Sequence, residues 1–148
     1  MTGEKFIKVL DNEGYSYKTE GNKIVVTHKG YVFLNSLTSI PSGVEFKNGG
    51  GVYLNSLTSL PSGVVFKNAG HVYLKLLKTL PHGFVFENRG SVSLEALTSL
   101  PLGVEFKYGG YVYLPSLIGG QFNYWSGNIE GIDSNRLLNV MIKQGVFI

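Results

Sequence analysis

The chain of 148 residues has no cysteine, only two arginines, and charged residues make up just 16% of it. Without cysteine there is no disulfide framework, thiolate metal site or cysteine nucleophile. Arg89 and Arg136 stand alone and the lysines are thinly spread. That argues against a nucleic-acid face, which concentrates basic residues to track phosphates. The net charge of +3 is a mild excess.

No stretch approaches the roughly 18 apolar residues of a membrane span. Residues 1–10 hold Lys5 and Lys8 but no apolar run of signal-peptide length. The expectation is a soluble, non-exported, cytoplasmic protein with no membrane partner. Aspartate occurs only at 11 and 133, and the histidines are His28, His71 and His82. These fall in unrelated columns of the repeat described next, where three groups do not converge as a metal site or a nucleophile triad requires. The glycines match neither phosphate-binding fingerprint. No enzyme activity, metal or cofactor is expected.

Glycine is abundant instead, at 20 residues, together with nine tyrosines and nine phenylalanines. Their spacing explains them. Residues 30–49 and 50–69 match at 15 of 20 positions, and further copies begin at Gly70, Gly90 and Gly110. After each glycine the second and fourth residues are apolar (Val32 and Leu34, Val52 and Leu54, and onward), the period of two that marks a strand with one face in the core. A spacing of three follows, as in Leu57 and Leu60, and then a Pro-x-Gly corner at Pro41 and Gly43, Pro61 and Gly63, Pro81 and Gly83, Pro101 and Gly103. Proline presets φ and glycine accepts dihedrals other residues resist, so the pair bends every copy at one point. A second short strand comes next, in which Val44 and Phe46 face in and Glu45 faces out, and an asparagine at 48, 68 and 88 precedes the closing turn.

A coil of 20 residues cannot bury its own apolar face; it needs copies above and below it. The prediction is a mainly β fold, a single parallel β solenoid over 1–148, with a short helix capping each end. Residues 1–29 form the N-terminal cap, with a helix over 4–10, two strands about a turn at 20–22, and a degenerate copy in which Ile24 and Val26 stand 20 residues before Val44 and Phe46. Residues 30–117 are the repeats. Residues 118–148 form the C-terminal cap, in which Phe122 and Tyr124 extend the stack and a helix lies near 134–143.

On the motif Leu57-Thr58-Ser59-Leu60-Pro61-Ser62-Gly63-Val64 and its copies, the chain resembles the short leucine-rich-repeat-like solenoids of bacterial and bacteriophage proteins, whose coils carry L-T-S-L-P-x-G-V. The resemblance covers about 90 of the 148 residues. Only Asn55 and Ser56 separate Leu54 from Leu57, so both a leucine-rich-repeat-like coil and a small β-helix stay open. The resemblance implies a binding protein; a phage origin would place it in the bacterial cytoplasm, acting on a host or defence protein.

The outward positions of the first strand are Phe33, Tyr53, Tyr73, Ser93 and Tyr113, flanked by Tyr31, His71 and Tyr111. Such an aromatic column suits a protein interface, a base-stacking platform or a second copy of the chain. Rings in this pattern also stack simply because sheets favour them, or lie under a terminal segment. Trp125 is a second candidate anchor, equally suited to plugging the core. The third copy, with Lys75-Leu76-Leu77-Lys78 and His82, departs most from the others. The second-strand face, with Glu45, Val65, Val85 and Glu105 beside Lys47, Lys67, Glu87 and Lys107, reads as an ordinary solvated surface. The expected function is a non-enzymatic protein-binding scaffold. The alternatives are an oligomeric small-molecule or nucleotide binder, such as a counter-defence sponge, and a structural component of a particle.

Overall fold

The computed structural model describes residues 1–101, 103–108 and 111–116, and the backbone of 124–125 and 132–133. The chain opens with helix α1 (Gly3–Glu13), whose first turn is capped by the Thr2 hydroxyl, which accepts from the Lys5 amide. Gly14 ends it at φ 74°, its N–H donating to the carbonyls of Leu10 and Asp11. Phe6 and Leu10 are fully buried, so the apolar side of α1 belongs to the same core as the coils. Strands β1 (Tyr17–Glu20) and β2 (Lys23–Val26) form an antiparallel hairpin about Gly21.

From β2 onward each coil contributes one strand to each of two sheets. Sheet A contains β2, β4 (Val44–Phe46), β6 (Val65–Phe66), β8 (Val85–Phe86) and β10 (Glu105–Phe106); sheet B contains β3 (Val32–Phe33), β5 (Val52–Tyr53), β7 (Val72–Tyr73), β9 (Val92–Ser93) and β11 (Val112–Tyr113). All pair in parallel, with partners 20 residues apart: Ile24 with Val44, Val32 with Val52, Phe46 with Phe66. The degenerate first copy is thus a true half-coil. The antiparallel strands β12 (Tyr124–Trp125) and β13 (Ile132–Asp133) close the sheets beyond β11 and β10. The stack is extended at residue 124 as expected, but with the chain direction reversed. The helix expected near 134–143 lies outside the described residues. Two sheets and no helix within the coils, among the described residues, make this the small β-helix form of solenoid.

The core is a set of repeated layers. Val32, Leu34, Leu37, Ile40, Val44 and Phe46 of one coil are buried against their equivalents in the next. Phe46, Phe66, Phe86 and Phe106 form an internal ring stack with centroid separations of 5.4, 5.9 and 5.2 Å. Burial of one such side chain is worth about 1.5–3 kcal/mol, and the column repeats that gain at every coil.

The two glycine columns have different causes. Gly43, Gly63, Gly83 and Gly103 of the Pro-x-Gly corner lie at φ between 71° and 79°, where a side chain is strained. Gly50, Gly70 and Gly90 have ordinary φ, but a Cβ there would sit 2.9, 2.7 and 2.6 Å from the carbonyl carbon of the glycine one coil earlier. These glycines let successive backbones touch.

Beside them stand the buried asparagines. Asn68 Nδ2 donates to the carbonyls of Gly50, Gly70 and His71, and Asn48 and Asn88 repeat the arrangement one coil before and after. One side-chain amide therefore stitches two coils at a place where strand pairing has ended.

Candidate interaction face

The outer face of sheet B carries the aromatic column. Parallel pairing in register puts identical positions about 4.8 Å apart along the stack, a distance at which aromatic rings meet face to face. The rings of Phe33 and Tyr53 are 4.6 Å apart and 29° from parallel; those of Tyr53 and Tyr73 are 4.4 Å apart and 20° from parallel. Tyr31 leans over the start of the ladder, 6.1 Å from Phe33 and 6.4 Å from Tyr53, above Gly51, where a Cβ would come 3.3 Å from the Tyr31 ring.

Stacking consumes the ring faces. Tyr53 is covered on both sides, so the ladder offers ring edges and hydroxyls outward and is a ridge, not a platform for an inserted base. Phe33 is 52% exposed and Tyr113 38%, while Tyr53 and Tyr73 are half-buried. Burial, followed by the neighbouring Tyr53 phenol, holds the Tyr73 hydroxyl above the usual tyrosine range.

The ladder stops at coil four. Ser93 pairs with Tyr73 on one side and Tyr113 on the other, so those tyrosines stand two strand spacings apart, about 9–10 Å, over a small residue. In the neighbouring column His71 meets Tyr73 edge-on at 5.9 Å. Its Nδ1 accepts from the Ser91 amide at 2.7 Å, and Ser91 Oγ accepts in turn from the Tyr111 amide at 3.0 Å. His71 and Ser91 are thus tied to the backbone of the coil that follows each of them. Phe33, Tyr53, Tyr73 and Tyr113 share the sheet B face with Tyr31, His71 and Tyr111, as their spacing predicts. Trp125 is on β12 at the register of Val112, and its side chain lies outside the described residues.

The irregular third copy is exposed at Lys75, Leu76, Lys78 and His82. In coils one and two, the Oδ1 atoms of Asn35 and Asn55 accept from the amides of residues 55 and 75, and the Ser56 hydroxyl donates to the Asn35 carbonyl. Lys75 has no acceptor on its side chain and ends this outer ladder.

On sheet A the expectation of an ordinary solvated face fails at Glu45. Its side chain faces outward yet the residue is only 6% exposed, with the ammonium groups of Lys47, Lys67 and Lys23 at 3.3, 3.8 and 3.9 Å. Long lysine stems cover the carboxylate while their heads stay in water. Further along, Lys67, Glu87, Arg89 and Tyr108 line an open depression of about 270 Å³. Arg89 lies over the Tyr108 ring at 5.0 Å, and Lys107 pairs with Glu87 at 3.3 Å. Among the described residues no three His, Asp or Glu side chains gather as metal ligands, and no helix is long and apolar enough to cross a membrane.

Sequence reasoning misses two features, Glu45 and the pair Tyr15 and His28, whose rings meet edge-on at 5.0 Å. Glu45 carried a signal: its position, with lysines two residues after it and twenty-two after it, is that of a counter-ion. Comparison of the chain with protein families, with curated proteins and with solved structures finds no match.

Proposed function

We propose that this solenoid is a non-enzymatic protein-binding scaffold that meets its partner with the outer face of sheet B. The observation that carries this reading is the stacked ladder Phe33, Tyr53, Tyr73 with its interruption at Ser93. Rings held by one another and by rigid strands lose little freedom on binding, which favours affinity. Tyrosine edges combine apolar area with hydroxyls that form polar contacts, the chemistry enriched at protein interfaces. The resemblance of the repeat to leucine-rich-repeat-like solenoids of bacteria and bacteriophages supports a host or defence protein as the partner.

The test is recovery of a partner from bacterial lysate by the wild type and by a Tyr53→Ser, Tyr73→Ser, Tyr113→Ser triple variant, with circular dichroism to establish that the variant is folded. The partner is expected to be lost with the triple variant. Equal recovery by a folded variant would sink the reading.

The depression lined by Lys67, Glu87, Arg89 and Tyr108 favours a second reading, a small-molecule or nucleotide binder, since a cation over an aromatic ring suits a planar anionic ligand. Under that reading ATP raises the melting temperature of the wild type and not that of an Arg89→Ala variant.

A further inference from the structure

Strand β3 is the end strand of sheet B, and its outer edge is closed by one side chain. The amides of Val32 and Leu34 donate to the carbonyls of Gly51 and Tyr53 in the next coil. Alternation along a strand therefore turns the N–H and C=O of Phe33 the other way, toward the end of the stack. Both are taken by Tyr15: its hydroxyl accepts from the Phe33 amide at 2.9 Å and donates to the Phe33 carbonyl at 3.4 Å.

By the 20-residue register, the strand that would pair with β3 corresponds to residues 12–13, which end α1 and its turn. Those residues are helical, so no strand of this chain pairs with β3 on that side, and Tyr15 makes the two hydrogen bonds such a strand would have made. Three contacts hold it in place: its amide donates to the Leu10 carbonyl at 2.9 Å, its ring meets His28 edge-on, and it packs against the core.

An edge strand with an unpaired N–H and C=O recruits other strands. The N–H and C=O of one residue facing the same way are the groups an antiparallel hydrogen-bonded pair exchanges. The simplest occupant is a second copy of this chain, with Phe33 opposite Phe33 across a two-fold axis, because a self-complementary edge closes symmetrically. The exposed rings of Phe33 and Tyr31 beside that edge would add apolar area to the contact. We propose that the Tyr15 hydroxyl is an edge plug that denies β3 to a second copy of the chain.

Tyr15→Phe removes the plug and keeps the ring. Sedimentation over a concentration series is expected to show self-association at least about tenfold tighter than in the wild type, the fold-change matching the net worth of one to two hydrogen bonds. Tyr15→Leu, which removes the same hydroxyl with a different side chain, should behave alike. Amide exchange at Phe33 should be slow in the wild type, fast in the dilute variant, and slow again in the concentrated variant. Because the chain has no cysteine, Phe33→Cys added to Tyr15→Phe can form only an intermolecular disulfide, and its accumulation places Phe33 at the axis. Sedimentation unchanged by either substitution, or association that leaves the Phe33 amide unprotected, would overturn the proposal. Association through the aromatic face would be indifferent to Tyr15, so the two readings fail separately.

Discussion

The rings of Tyr53 and Tyr73 lie 4.4 Å apart and within 20° of parallel, on strands that pair in register. The sheet itself imposes this contact, and it makes the ionisation of one ring a matter for the other. Burial first, then the charge and hydroxyl of Tyr53, hold the Tyr73 proton beyond the ordinary tyrosine range. A folded-state pKa raised above the unfolded one adds stability that is present below the unfolded value and lost as pH rises through the folded value. Stability should therefore decline in the alkaline range as Tyr73 titrates. Absorbance at tyrosinate wavelengths should show late titration of Tyr73 and also of Tyr17, whose hydroxyl is held by its hydrogen bond to Asp11, and Tyr53→Phe should move only the Tyr73 titration earlier while burial keeps part of its shift.

Asn68 is fully buried and its amide serves three carbonyls in two coils. Asn68→Ala removes one donor from each, although Gly50 keeps Asn48 Nδ2, Gly70 keeps Asn88 Nδ2 and the Gly90 amide, and His71 keeps the Val52 amide. The loss of the amide's two N–H groups should cost about 1–3 kcal/mol in urea unfolding, at a net of about 0.5–1.5 kcal/mol for each hydrogen bond. Asn68→Asp should cost more at neutral pH, because it sets a carboxylate against carbonyl oxygens, and should recover partly in acid, where the protonated carboxyl can donate.

Three glycine-to-alanine variants should rank by cause. Gly83→Ala meets only the positive φ, since nothing lies within 4 Å of its Cβ, and should cost about 1–2 kcal/mol. Gly63→Ala adds contacts of 3.3 Å to the Gly43 backbone and should cost more. Gly90→Ala would place Cβ 2.6 Å from backbone of the coil before, forcing successive coils apart, and should be the most damaging. Thermal melts of the three, compared side by side, check the order.

Glu45 is the shared counter-ion beneath three lysines, offsetting one of their three charges. Glu45→Gln should destabilise the chain by about 1–3 kcal/mol, the range for a hydrogen bond or ion contact to a charged group that is largely buried. The deficit should narrow as salt screens the lysines from one another. Glu105→Gln, in the same column on a half-exposed residue, should change little. Urea titrations at low and high salt separate the two.

Most of the coil is legible in the residues alone, because its constraints recur. The alternation at Val32 and Leu34, the corner at Pro41 and Gly43, and the register linking Ile24 to Val44 each appear several times at one spacing, and repetition separates geometry from accident. The candidate face is legible for the same reason, since any outward column in a parallel stack must line up. What the repeat does not contain, it does not reveal. Tyr15 lies before the first copy, so its bond to Phe33 depends on where α1 ends in space. The burial of Glu45 depends on lysine stems from three successive coils, and β12 reverses direction where no repeated motif marks it. The spacing of the outward residues also sets the column's positions but not the ring orientation, which decides that edges rather than faces point outward.

The side chains that accept in the outer ladders all serve the coil that follows, while the Ser56 hydroxyl donates back to the coil before it. Asn35 serves the amide of residue 55, Asn55 that of residue 75, His71 that of Ser91, and Ser91 that of Tyr111. Each coil thus inherits part of its support from the coil synthesised before it and passes support to the one after. A substitution at Asn55 is felt at Lys75 and not at Asn35. The order of the copies therefore carries meaning even where their letters agree: exchanging coil three, whose Lys75 has no acceptor to hand on, with coil two would break that inheritance one coil earlier.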